Sequence, residues 1–249
     1  MDRNIDSYAS EYMRSSFESI LVKYRRAQCL KVINQFSHRK ILEIGCGTQP
    51  LFIDVKDYDL FYVVEPAATF CDQARALAKE DTRIIIIQDF FEKQVKLLNE
   101  IDFDVIIVSA LLHEVESPEL LLKSIRQCCS ADTVVHINVP NSHSFHMLLA
   151  YESKLINEIG NLSDRALLLQ QHTTFDMNSL TALVTNIGFE LLDRGSYFIK
   201  PFNHEKMEKM LEQGLIDLDI LDGFSKMIQY IPELGAEIYV NVKKRYGRG

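Results

Sequence analysis

The sequence of 249 residues is 47% hydrophobic and 25% charged with a formal net charge of −8, enough apolar material for one large α/β domain or a domain carrying an insertion. That acidic balance, with no basic run longer than Lys243-Lys244-Arg245, argues against a grip on phosphate backbones and so against nucleic acid as a partner. Five cysteines without a CxxC spacing suggest neither a zinc site nor a disulfide framework, and the lack of a leader or of about 18 consecutive apolar residues fits a cytoplasmic protein with no membrane partner.

In chain order, Glu11–Phe36 carries Phe17, Ile20, Leu21, Tyr24 and Leu30 on one face and is expected to be a helix packed on the core. Its front end, with Tyr8 and Tyr12, is a candidate lid. From residue 40 to about 200, apolar runs alternate with amphipathic stretches, the pattern of a parallel sheet covered by helices on both faces. Strands are expected at Lys40–Ile44, Leu60–Val64, Arg83–Ile87, Phe103–Ser109 and Thr133–Val139. Helices are expected at Ala67–Lys79, after Pro66, and at Pro118–Cys128, after Ser117. Asn141–Gln171 reads as a long, mostly helical insertion, and Asp176–Ile187 as a helix capped by Asp176 and ended by Gly188. Phe189–Ile199 and Ala236–Val242 read as two further strands, separated by a helical stretch, Glu205–Ile231, broken at Gly214 and Gly223.

Chemistry gathers at the carboxyl ends of these strands. Ile41-Leu42-Glu43-Ile44-Gly45-Cys46-Gly47-Thr48 runs a strand straight into a loop whose two glycines allow the main chain to approach a ligand. Alone, such a loop also fits an ordinary tight turn. Glu65, followed by Pro66, lies about 20 residues beyond the glycines, where an acid can accept both hydroxyls of a ribose. Asp89 and Phe90 follow the third strand, where a carboxylate and a phenyl ring can frame an adenine. The fourth strand ends at Ser109-Ala110-Leu111-Leu112-His113-Glu114, opening onto the same crevice.

With these motifs in order, the sequence resembles the class I S-adenosylmethionine-dependent methyltransferases over nearly its whole length. Glu43-Ile44-Gly45-Cys46-Gly47 is similar to the family's glycine-rich motif, Glu65 to its ribose-binding acid and Asp89-Phe90 to its adenine-binding pair. Gln49 stands where many relatives have a third glycine. The resemblance implies a Rossmann-like seven-stranded α/β sheet, mostly parallel, with helices on both faces. It makes the last strand antiparallel and inserts it beside Phe189–Ile199. On this reading residues 1–36 form a helical lid and 37–249 the methyltransferase domain, with a helical insertion at about 141–171 and a late helical segment at about 204–231. The implied cofactor is S-adenosyl-L-methionine, leaving as S-adenosyl-L-homocysteine. Tyr8, Tyr12, Glu43, Gly45, Cys46, Gly47, Glu65, Pro66, Asp89, Phe90, Ser109 and Ala110 are its expected contacts.

The substrate side is less marked. His113, at the crevice mouth, is the first candidate for a general base, because imidazole titrates near neutrality; the other reading is a histidine that only shapes the pocket. Asn141, His143, His172, Tyr197 and Lys200 are further candidates for substrate contact, with Lys200 suited to a phosphate or carboxylate. His146 is read as surface or packing, Glu114 as a solvated or capping acid, and Asp104 as a strand-boundary residue. His143-x-x-His146 without a clear carboxylate partner is a poor ligand set, so no metal is expected. The Lys200-Pro201-Phe202 and Glu237-Ile238-Tyr239 segments resemble a bacterial small-molecule subgroup of the family. Phe145, Met147, Leu148, Leu149 and Tyr151 form an apolar stripe open to three readings: core, pocket wall or homodimer contact.

The function these features imply is methyl transfer to an oxygen or nitrogen of a small polar molecule, with sugars and phosphate- or nucleotide-linked biosynthetic intermediates in range. Two other classes compete. A non-catalytic binder of the same cofactor is disfavoured by the intact Glu43, Gly45, Gly47, Glu65 and Asp89. An NAD-dependent oxidoreductase is disfavoured by Pro50, which takes the third glycine place of the G-x-G-x-x-G fingerprint and lacks the backbone donor a pyrophosphate needs there.

Overall fold

The computed structural model of the protein describes residues 16–162, 166–167 and 171–246. Helix α1 (Ser16–Gln35) precedes β1 (Lys40–Ile44), β2 (Leu60–Val64), α2 (Ala68–Ala78), β3 (Ile84–Ile87), α3 (Phe91–Leu98) and β4 (Val105–Ser109). The chain continues through α4 (Pro118–Gln127), β5 (Val134–Pro140), α5 (Phe145–Glu152), α6 (Met177–Asn186), β6 (Phe189–Tyr197), α7 (His204–Glu212), α8 (Leu218–Lys226) and β7 (Glu237–Lys244).

The strands form one seven-stranded sheet in the order β3-β2-β1-β4-β5-β7-β6. Neighbours from β3 to β5 are parallel, with Glu43 opposite both Val63 and Ile107. Strand β7 runs antiparallel between β5 and β6, the arrangement the family resemblance implies. The chain moves outward from β1 to β3 and then returns to place β4 on the other side of β1. That reversal leaves a crevice beyond the carboxyl ends of β1 and β4.

Alternation along each strand sorts its side chains onto two cores. Leu42, Ile44, Ile106 and Val108 join Phe91, Leu98, Leu122, Ile125 and Leu180 from α3, α4 and α6 on one face. Ile41, Phe61, Val63, Val105 and Ile107 join Ile33 of α1 and Phe70 and Ala74 of α2 on the other. A third cluster packs Phe17, Leu21 and Tyr24 of α1 on Phe198, Met207 of α7 and Leu221 of α8. The helix starts follow the capping chemistry: Ser117 Oγ accepts the Leu120 N–H at 3.3 Å, and Asp176 and Ser179 form a capping box.

Several boundaries differ from the sequence reading. Strand β4 begins at Val105 because Asp104 is tied to Lys40, accepting its N–H on Oδ2 at 2.8 Å. Helix α3, not anticipated, buries Phe91, Val95 and Leu98 at helical spacing. Among the described residues of the insertion after β5, α5 spans eight residues and 166–167 are helical, while Lys154 and Gly160 take left-handed backbone angles that break the chain between them. Gly214 ends a helix with φ +65°, but Gly223 lies inside α8. No described helix is long and apolar enough to cross a membrane.

The packing sets a stability contrast. Ile106, with 0% of its surface exposed, is expected to cost roughly 2–5 kcal/mol in urea unfolding when replaced by alanine. Leu215, 65% exposed, is expected to cost less than about 0.5 kcal/mol when truncated in the same way.

Candidate functional site

Beyond β1 the chain turns at Gly45, whose φ of +78° lies in the region that β-carbons disfavour; its N–H donates to the Val64 carbonyl at 2.9 Å. A β-carbon there would only touch Leu111 at 3.5 Å, so the need for glycine is conformational rather than a matter of space. The loop is held from beneath by Glu43, which accepts the Leu51 N–H at 2.9 Å, and from the side by Arg26, which donates to the Gln49 carbonyl. Burial pushes the Glu43 carboxyl up to about 8, an effect that Leu51 N–H and Arg26 oppose and the neighbouring Glu65 reinforces.

At the end of β2, buried Glu65 accepts the Ala67 N–H at 2.8 Å. Beyond β3, Phe90 is 41% exposed, with Lys93 Nζ 5.1 Å from its ring centre. These strand ends enclose a cavity of about 690 Å³, within the range of small-molecule sites. Glu43 and Glu65 both line this space, and the Glu65 carboxylate adds to the proton affinity of Glu43. An acidic lining suits the positively charged S-adenosylmethionine better than it suits a pyrophosphate.

A second cavity of about 770 Å³ lies beside the first, and Arg25, Ala110 and Glu114 line both. Its polar side is a chain of ionic contacts. Arg25 Nε donates to both carboxylate oxygens of Glu237, at 3.1 and 3.0 Å, and its Nη2 donates to Glu18 at 3.1 Å. Glu18 lies 3.4 Å from His204 Nε2, and Lys200 Nζ is 3.3 Å from His204 Nδ1. Burial alone would raise the Glu18 carboxyl, but Arg25 and His204 hold it well below the usual carboxylate range. Tyr197 donates to Glu237, and burial together with that carboxylate pushes its phenol well up, so it stays protonated. His113 Nε2 lies 3.8 Å from Glu114 Oε1 on the same wall.

A family model described as a methyltransferase domain matches residues 21–194. The chain belongs to this family, the class I S-adenosylmethionine-dependent methyltransferases. Its cofactor is S-adenosylmethionine. Among solved structures, this methyltransferase is similar to the plantazolicin methyltransferase BamL, in complex with a triazolic desmethylPZN analog and S-adenosylhomocysteine (13% identity, 97% of this chain and 98% of that one, TM-score 0.57). It is also similar to a possible histamine N-methyltransferase from Thermotoga maritima (15%, 83% and 82%, 0.53). A third likeness is to a methyltransferase from Archaeoglobus fulgidus (13%, 90% and 94%, 0.54). At these identities the likeness shows the fold alone. No curated protein matches the chain.

Glu43, Gly45, Cys46, Gly47, Glu65, Pro66, Phe90, Ser109 and Ala110 of the methyltransferase all line the first cavity. Asp89 is not on its wall: the Phe90 N–H and the Gln94 amide donate to its two oxygens at 2.8 and 2.7 Å, fastening it to the start of α3. Tyr8 and Tyr12 lie outside the described residues. Of the substrate candidates, His113, Asn141 and Lys200 line the second cavity, while His172 lines the first. The amide of Asn141 is committed to the Glu233 and Gly235 carbonyls, at 3.1 and 3.0 Å. His143 is exposed, pairs with Ser142 and Asp176 and lines neither cavity, and Tyr197 stands behind Glu237.

Sequence reasoning missed Glu18, Arg25 and His204, and it placed His146 on the surface or in packing. Glu18, Leu21 and Arg25 follow helical spacing and line the second cavity together, so the polar pair was readable as one face of α1. His146 lines that cavity with its Nδ1 2.9 Å from Ser144 Oγ; burial, then Lys200 and His204, hold its pKa well below normal and keep the ring neutral. No residue of α5 is buried, so the apolar stripe there is not core, and Met147 and Leu149 face the second cavity. No group of described residues forms a metal site.

Glu43 gives a pH test. Its folded pKa of about 8 lies above the ordinary carboxyl value of 4.5, so the folded state binds the extra proton. Its stabilising contribution is complete below the unfolded pKa and is lost as pH rises toward the folded one. Melting temperatures of the ligand-free protein between pH 5 and 8 should therefore fall more steeply in the parent than in Glu43→Gln, whose amide does not ionise.

Proposed function

We propose that this methyltransferase transfers its methyl group to an oxygen or nitrogen of a small polar molecule held in the second cavity, and that the acceptor carries a phosphate or carboxylate, as sugar phosphates and nucleotide-linked intermediates do. One observation carries this reading: the two cavities share Ala110, Glu114 and Arg25, so a ligand in the second meets the cofactor cavity at the end of β4.

When bound, the cofactor supplies an electrophilic methyl and a neutral thioether leaving group. The chain's own residues align the partners and exclude water, which is where most of the rate of such a displacement arises. Buried Lys200 offers an anionic group an ammonium with three donors, enough to serve both His204 and a ligand oxygen. His113 takes the proton of an acceptor hydroxyl at Nδ1, because Nε2 faces Glu114. The Glu114 carboxylate offsets the positive charge that this proton brings to the ring.

The test is formation of S-adenosylhomocysteine with a panel of hydroxy and amino compounds, each with and without a phosphate or carboxylate. Turnover of a hydroxyl acceptor is expected to fall about 10²- to 10⁴-fold in His113→Ala, while an amine acceptor keeps most of its rate. In Lys200→Met, KM for an anionic acceptor is expected to rise about tenfold or more, the equivalent of one charged hydrogen bond. A preference for neutral or cationic acceptors, with no effect of Lys200→Met, would overturn the assignment of an anionic substrate.

A further inference from the structure

Ala110, the first residue beyond β4, forms part of both cavity walls. Its φ is +52°, a left-handed conformation that the alanine side chain disfavours. Two acceptors of a single residue grip its N–H: the main-chain carbonyl of Asn138 at 3.0 Å and the side-chain Oδ1 of Asn138, also at 3.0 Å. Asn138 sits on β5, is 0% exposed and lines neither cavity.

The orientation of that amide is itself fixed by its neighbours. Asn138 Nδ2 donates to Ser109 Oγ at 3.1 Å and to His136 Nε2 at 3.0 Å. An imidazole that accepts at Nε2 carries its proton on Nδ1 when neutral, and His136 Nδ1 meets Asn241 Oδ1 of β7 at 2.7 Å. Burial holds the His136 pKa down at about 4, so the ring stays neutral and keeps this tautomer. With its nitrogen turned to His136, the Asn138 amide has its oxygen left facing Ala110. A chain of three buried polar side chains from two strands, Asn241, His136 and Asn138, thus ends on one backbone N–H at the junction of the cavities.

The direction in which the chain leaves Ala110 decides where the next four residues lie. Leu111 packs against Gly45, within 3.5 Å of where a β-carbon there would stand, and the Glu114 N–H closes a turn on the Leu111 carbonyl at 2.9 Å. That turn brings His113 to the second cavity and Glu114 to both.

We propose that Asn138 is a positioning residue for methyl transfer: its two-point grip keeps Ala110 left-handed, seating Leu111 against the glycine loop and presenting His113 and Glu114 to the acceptor. It rests on the reading of the first cavity as the S-adenosylmethionine site. Nothing in the motif pattern marks Asn138, which sits in β5 between Ile137 and Val139.

The test is a double-mutant cycle of Asn138→Leu with Ala110→Gly, read by calorimetric titration of S-adenosylhomocysteine on protein shown to be folded by circular dichroism. With alanine at 110, Asn138→Leu is expected to weaken binding about tenfold, since the side chain then resists the left-handed bend. With glycine at 110, the same substitution is expected to cost less than about threefold, because glycine adopts that bend unaided. Equal losses in both backgrounds would mean that Asn138 only fills space, and would overturn the proposal; so would undiminished affinity in Asn138→Leu. If Asn138→Leu does not fold, Asn138→Ser takes its place in the cycle with the same expectations. Failure of the parent protein to bind would instead sink the cofactor assignment, and this proposal with it.

Discussion

Parallel strands that begin at β1 and fan out to both sides have their carboxyl ends on one edge of the sheet, and the whole site is assembled there. The chain has to leave each strand without closing over the ligand, which requires backbone conformations that most side chains resist. Gly45 and Gly47 meet this requirement by lacking a β-carbon, at φ +78° and +53°. Ala110 meets it with a β-carbon present, held by hydrogen bonds from the neighbouring strand. The glycine loop and the segment after β4 hang from these bends, and helices α1, α3 and α4 supply further parts of the first cavity's wall.

The second cavity is organised by charge rather than by backbone. Arg25 joins α1 to the start of β7 through Glu237 and continues through Glu18 to His204 and Lys200 beyond β6. Removing such groups from water is costly, and their attraction repays the loss only with good geometry. Arg25 has that geometry, with its fork set against both oxygens of Glu237 and against Glu18. The gain lies in register: α1 has to sit at one height on the sheet for all these pairs to close. The same helix supplies Arg26 to the glycine loop and Cys29 to the first cavity wall, so one rigid element fixes both compartments.

Much of the sheet was legible because its signals are local. Unbroken β-branched runs such as Ile84–Ile87, the glycine pair after β1 and the acid after β2 each report a short stretch of chain and needed no partner to be read. Asp89 shows the limit of that approach. Its place after β3 matched the expected pattern, yet its oxygens hold Phe90 and Gln94 at the head of a helix that the sequence reading had not drawn. In the insertion the apolar spacing continues past Glu152, yet the helix ends there, because the chain turns left-handed at Lys154, a residue with no sequence mark, ahead of the glycine at 160.

By itself the sequence determined the strand order of chemistry along the cofactor crevice, since hydrophobic alternation, glycine and acidic residues fall at fixed offsets from each strand end. Only tertiary structure decided which polar residues share the acceptor side. The pair Glu18 and Arg25 on α1, then His113, His146, the pair Lys200 and His204, and Glu237 come from separate segments, and no spacing relates one segment to another until α1 is laid across the sheet and the last two strands are paired. Burial decided the rest: whether a histidine stays neutral, whether Glu43 keeps its proton, and which end of the Asn138 amide faces Ala110 depend on what surrounds each group in three dimensions, because desolvation and hydrogen-bond partners are properties of packing rather than of order along the chain.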